Sequence, residues 1–149
     1  MLIMENPLEI NFNYFDNDWD ALQTFLNNKG NPPYIITTNL NLKRKKVNSF
    51  YRLLGVENNL NLEQANIVSL GHLIYVKGDL NLELSNIQTL SNLEYVLGSV
   101  DLSSTFIEDL GHLKFVGNNL DLRGCRFYNA PIDEIKRKVK VMGKIFIDY

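Results

Sequence analysis

The sequence predicts an α/β repeat solenoid with one parallel sheet of about six short strands, short helical turns on the opposite side and a helical N-terminal cap. Three observations carry this reading. A tetrapeptide recurs every 20 residues, as Asn39-Leu40-Asn41-Leu42, Asn59-Leu60-Asn61-Leu62, Asp79-Leu80-Asn81-Leu82, Ser99-Val100-Asp101-Leu102 and Asn119-Leu120-Asp121-Leu122. Within it apolar and polar residues alternate, which is the period of a strand with one buried face. The other apolar positions keep the same register: Val47, Ile67, Ile87, Ile107 and Phe127, then Phe50, Leu70, Leu90 and Leu110, then Leu53, Leu73, Leu93 and Leu113, then Val56, Val76, Val96 and Val116. Such a fixed period marks stacked units that bury a continuous core only against their neighbours.

Residues 1–33 lie outside the repeat and are expected to cap it, because an uncovered terminal coil would expose core and strand edges. Leu8 to Tyr14 alternates like a strand. Asp16 to Asn28 reads as a helix with Asp16 or Asn17 as N-cap, Trp19, Leu22 and Leu26 on one face, and Gly30 as its stop. Asn31-Pro32-Pro33 then breaks the chain, and residues 34–149 form the solenoid, one structural unit with the cap. In each unit Ser49, Ser69, Thr89, Asp109 or Asn129 is a helix N-cap residue type, so a short helical turn is expected after each. After Asn129 and Pro131, the segment 132–138 predicts a longer helix. Val141 to Ile147 repeats the spacing of Val76 to Leu82 and predicts a sixth, closing strand.

The pattern Leu-x-Leu, Ile five residues later, Leu at intervals of three and Val-x-Gly resembles leucine-rich repeats. It is similar to the coils of receptor L domains and of short repeat proteins from bacteria and their phages. The match covers residues 39–149, with Ala65, Ser85, Thr105 and Cys125 where such repeats usually place an inward Asn. The resemblance implies a curved or flat solenoid that works by binding, and it supplies no catalytic residues to carry over. A phage or mobile-element inhibitor of a host complex is one role in that style.

Composition narrows the class further. The chain has 149 residues, 45% of them apolar, with a net charge of -2. This fits one ordered domain and excludes a uniformly basic nucleic-acid binder. No apolar run reaches the roughly 18 residues of a membrane span, so no membrane partner is expected. Met1 to Met4 lead into Glu5 and Asn6 without the basic and small-residue features of a signal peptide. With Cys125 as the single cysteine no internal disulfide can form, and a cytoplasmic protein is expected. The near-neutral charge is a cancellation: residues 1–38 carry -4, 39–58 +4, 59–118 -5 and 119–149 +3.

Because the Leu residues of each strand point inward, their neighbours must point out. This places Asn41, Asn61, Glu63, Asp79, Asn81, Glu83, Asp101, Asp121 and Arg123 on one face, the expected binding surface for a protein partner. The plainer role for the Asn and Asp residues is a ladder of hydrogen bonds along the sheet. A second candidate surface is basic, with Lys43, Arg44, Lys45 and Lys46 at one end and Arg126, Lys136 and Arg137 at the other. It would suit nucleic acid, although three acidic coils separate its halves. No phosphate loop, nucleophile constellation or metal-ligand cluster is present in the sequence, so neither enzyme activity nor a cofactor or metal is expected. His72 and His112 lie two coils apart, about 9–10 Å, too far to share a zinc ion. Cys125 is expected to be a buried thiol, and the column Tyr75, Tyr95, Phe115 half-buried packing. The exposed edge of the closing strand, with Phe146, offers a second copy an edge-to-edge contact.

Overall fold

A computed structural model describes residues 6–127 and 132–148. In chain order its elements are β1 (Leu8–Ile10), a 3-10 turn (Phe12–Phe15), α1 (Trp19–Asn28), β2 (Tyr34–Ile36), β3 (Leu40–Asn41), β4 (Leu53–Val56), β5 (Leu60–Asn61), β6 (Tyr75–Val76) and β7 (Leu80–Asn81). There follow β8 (Tyr95–Val96), β9 (Val100–Asp101), β10 (Phe115–Val116), β11 (Leu120–Asp121), α2 (Ile132–Lys138), β12 (Lys140–Val141) and β13 (Ile145–Phe146). The chain is a parallel-strand solenoid with a repeat of 20 residues, seen in the partners Leu40↔Leu60, Leu60↔Leu80, Leu80↔Val100 and Val100↔Leu120. Val100 keeps this inward column apolar where the other coils carry Leu.

Two sheets run along the stack. The front sheet has the order β13-β11-β9-β7-β5-β3 and the back sheet β1-β2-β4-β6-β8-β10-β12. This corrects the expectation of a single sheet backed by helical turns. The back of each coil is itself a strand, and its inward residues, such as Leu73 and Val76, are spaced by three because the chain bends into the strand there. The expected N-cap residues do not start helices. Ser49, Thr89 and Asp109 each accept the N–H two residues on, at 2.8, 3.0 and 2.9 Å, which closes a tight turn and nothing more. Asn129 lies outside the described residues. The closing strand expected over Val141 to Ile147 is split in two, β12 pairing with β10 in the back sheet and β13 with β11 in the front, where Ile145 lies opposite Leu120.

Between the sheets lies one continuous apolar core. Leu40, Leu42, Leu60, Leu62, Leu82 and Leu102 from the front meet Leu53, Val56, Leu73, Val76, Leu93 and Val96 from the back, all fully buried. At the corner after each front strand, Ala65, Ser85, Thr105 and Cys125 form the small buried column expected from the sequence. Thr105 donates to the Leu102 carbonyl at 2.7 Å and so satisfies its buried hydroxyl.

At the N-terminal end β1 extends the back sheet, pairing Leu8 with Tyr34. The strand is shorter than expected, because the 3-10 turn takes over from Phe12. The helix starts after Asp18, whose carboxylate accepts from Asp20 and Ala21 N–H at 3.0 and 3.1 Å. Asp16 and Asn17, the expected caps, hold φ of 53° and 56°, left-handed values that an N-cap does not adopt. Trp19, Leu22 and Leu26 are buried in the solenoid core, with the Trp19 ring edge-on to Phe50 at 5.7 Å. No helix among the described residues is long and apolar enough to cross a membrane.

Candidate interaction surface

Two columns of Asn and Asp dominate the front face, and backbone geometry sets the task of each. In the first, Asn41, Asn61, Asn81, Asp101 and Asp121 accept the N–H of the residue two positions on, at 3.1, 3.0, 2.9, 2.9 and 3.1 Å. The chain must turn sharply there. Three positions after each of them, Arg44, Gln64, Leu84, Ser104 or Gly124 takes a left-handed φ between 55° and 73°. That conformation is unfavourable for a side chain with a Cβ, and the side-chain oxygen stabilises the turn containing it.

The second column works between coils. Asn39 Oδ1 accepts from Asn59 N–H at 3.0 Å, Asn59 from Asp79 at 2.8 Å, Asp79 from Ser99 at 2.8 Å, and Asn119 from Lys144 at 2.9 Å. Ser99 takes the same role through its hydroxyl toward Asn119, at 3.2 Å. The ladder named as the plainer role is therefore present, together with a turn-closing column beside it.

These bonds fix which atoms face outward. A backbone N–H can only donate, so each bonded Asn oxygen is identified, and its NH2 group is left on the other side. Where the column switches to Asp, the second carboxylate oxygen takes that place. Asn39, Asn41, Asn59 and Asn61 thus put donors at the N-terminal end of the face, and Asp79 and Asp101 put acceptors in its middle.

The charged column alongside holds Lys43, Glu63, Glu83, Ser103 and Arg123. Lys43 pairs with Glu63 at 3.2 Å. Arg123 grips Asp121 through two bonds of 3.0 and 2.7 Å. Burial alone would raise the Asp121 carboxyl, but the hydrogen bonds from Arg123 outweigh it and hold it below its ordinary value. Glu83 has no cationic partner among the described residues. Partial burial and the carboxylates of Asp101, Glu63 and Asp121 push its pKa upward.

The basic residues are not gathered into one surface. Lys43, Arg44, Lys45 and Lys46 sit on the first coil, where Arg44 Nε donates to Gln64 Oε1 at 2.7 Å. Arg126 occupies the column of Lys46 four coils away, about 19 Å along the stack. Its guanidinium lies 5.3 Å from the centre of the Phe106 ring and covers part of that otherwise exposed side chain. Lys136 and Arg137 are exposed on α2.

The back face is different in kind. Tyr75, Tyr95 and Phe115 stand in register on adjacent strands. Tyr75 lies over Gly55 and donates to Glu57 Oε1 at 2.8 Å, and burial together with that carboxylate raises its pKa to about 12. Tyr75 and Phe115 are half-buried as expected, but Tyr95 is 42% exposed. Beside it Leu97 is 51% exposed. Sequence reasoning passed over Leu97, although its column of Glu57, Lys77 and Gly117 shows an apolar residue where the other coils have none.

Cys125 is buried, donates to the Leu102 carbonyl at 2.8 Å, and is pushed up in pKa chiefly by burial, so it is a packed thiol and not an activated nucleophile. His72 and His112 flank Asn92 on the surface near Leu54, Ile74 and Glu94. Among the described residues no group of three or more His, Cys, Asp or Glu side chains is placed to hold a metal ion. No family model, curated protein or solved structure matches the chain.

Proposed function

We propose that the protein is a non-enzymatic interaction module that binds a protein partner with a basic surface through the front face. The carrying observation is the carboxylate group in the middle of that face. Glu83 makes no ion pair among the described residues and is repelled by Asp101, Glu63 and Asp121, and on the same face Asp79 and Asp101 each use one oxygen on the backbone and keep the other free. A partner Lys or Arg would relieve this repulsion, so complementarity favours a basic surface. The bonds that tie the Asn and Asp oxygens to the backbone preorganise the face, which lowers the ordering cost of binding. In this reading the architecture is leucine-rich-repeat-like, with residues 1–33 as its cap and residues 34–149 as the binding solenoid.

The turn-closing role of the Asn and Asp residues decides the test. Replacing Asn61, Asn81, Asp101 and Asp121 by Lys would remove the turn-closing oxygens and so break turns as well as contacts. The triple variant Asp79→Asn, Glu83→Gln, Asp101→Asn removes three charges and keeps every backbone acceptor. It should leave the circular dichroism spectrum unchanged and lose the partner that the native chain captures from its host. Equal capture by the two proteins would refute the proposal.

A further inference from the structure

The first coil and the 3-10 turn flank an open groove of about 600 Å³, lined by Asn13, Asn17, Thr37, Thr38, Asn39, Asn41 and Asn58. This is within the range of small-ligand sites. Every lining side chain is an amide or a hydroxyl, and none is charged.

Its walls are tied together. Phe12 is fully buried and its N–H donates to Thr38 Oγ1 at 3.1 Å, while Thr37 N–H donates to the Ile10 carbonyl at 2.8 Å. Asn17 holds its left-handed backbone through an N–H bond to the Phe12 carbonyl at 3.2 Å.

The free valences are of both kinds. Asn39 and Asn41 have their oxygens on backbone N–H groups and keep their NH2 donors. Asn58 is reversed: its Nδ2 donates to the Thr37 carbonyl at 3.0 Å, and its oxygen is left to accept. The side chains of Asn13 and Asn17 take part in no hydrogen bond among the described residues and offer both. A hydroxyl group also donates and accepts, whereas a phosphate only accepts and an ammonium only donates. An ionic ligand would in addition find no counter-charge lining the groove.

We propose that this groove binds a neutral polyhydroxylated ligand, a carbohydrate. The site is separate from the acidic middle of the front face.

The test is an NMR titration of the full chain with maltotriose, cellotriose, chitotriose and mannotriose, with glucose 6-phosphate as the charged control. At least one neutral trisaccharide should shift the side-chain amide signals of Asn39 and Asn41. The double variant Asn13→Ala, Asn17→Gly removes two amides while keeping the left-handed backbone open to residue 17, and should weaken binding by about tenfold or more with an unchanged circular dichroism spectrum. Three results would overturn the proposal: no shift with any neutral trisaccharide, a response to glucose 6-phosphate alone, or undiminished binding by the double variant.

Discussion

The two sheets share one core and one 20-residue register, yet their outer faces are built on different principles. On the front, each Asn or Asp bonds a backbone N–H, within its own coil at Asn61 and across coils at Asn59. On the back, Tyr95 is held by the strand pairing beneath it and Leu97 by its N–H bond to the Val76 carbonyl, and neither side chain forms a comparable bond. The front face is therefore sensitive to side-chain chemistry for its shape, and the back face only for its surface. A polar, repetitive face can be mostly scaffold, with a small set of carboxylates left for recognition.

The largest expected effect makes no distinction between the sheets. Leu82→Ala on the front and Leu93→Ala on the back each empty a fully buried site. Each should cost about 2–5 kcal/mol, read as matching falls in urea midpoint. A loss confined to one would mean that the core is not shared.

Glycine substitutions separate the faces. A Cβ on Gly98 would collide with Asp79 Oδ1 and lie 2.7 Å from the Gly78 carbonyl carbon, so Gly98→Ala must distort the ladder. A Cβ on Gly55 would collide first with the Tyr75 ring, a side chain and not backbone. Gly98→Ala should cost about 1–3 kcal/mol, and Gly55→Ala less, by thermal unfolding.

Tyr95→Ser should change stability by no more than about 0.5 kcal/mol, as for most surface substitutions, whereas a comparable loss at Asn61 should be felt. The smallest effect is one of pH. Glu83 has its folded pKa raised, so the folded state holds the proton more tightly, and its contribution to stability grows as pH falls from neutral toward 4.5. Glu57 is shifted the other way by its hydrogen bonds from Lys77 and Tyr75, and its contribution is lost as pH falls through its lowered pKa. Melting curves should therefore show Glu83→Gln more stable than the native chain at neutral pH, an advantage that fades in acid, and Glu57→Gln less stable at neutral pH.

The repeat, the inward Leu columns, the small column ending at Cys125 and the buried face of α1 were all legible in the sequence, because burial is periodic and period is what a sequence displays. The second sheet was not. Inward residues three apart, as at Leu73 and Val76, suit either a tight helical turn or a short strand entered through a bend, and only the pairing of Tyr75 with Tyr95 distinguishes them. The same holds for Ser49 and Thr89, whose side chains close turns as readily as they cap helices. On the front face, the alternation places these residues outward but does not show which of their oxygens are already bonded. The groove at Asn13 and Asn17 had no periodic signal at all, since it joins the segment before the repeat to its first coil.

The central claim is that the Asn and Asp oxygens hold the coils. It is tested most directly by thermal unfolding of Asn61→Asp beside Asn61→Ala. Asp keeps the acceptor for the Glu63 N–H and should unfold close to the native chain, while Ala leaves that N–H without it and should lose about 1 kcal/mol. Equal stability of Asn61→Ala and the native chain would contradict the account.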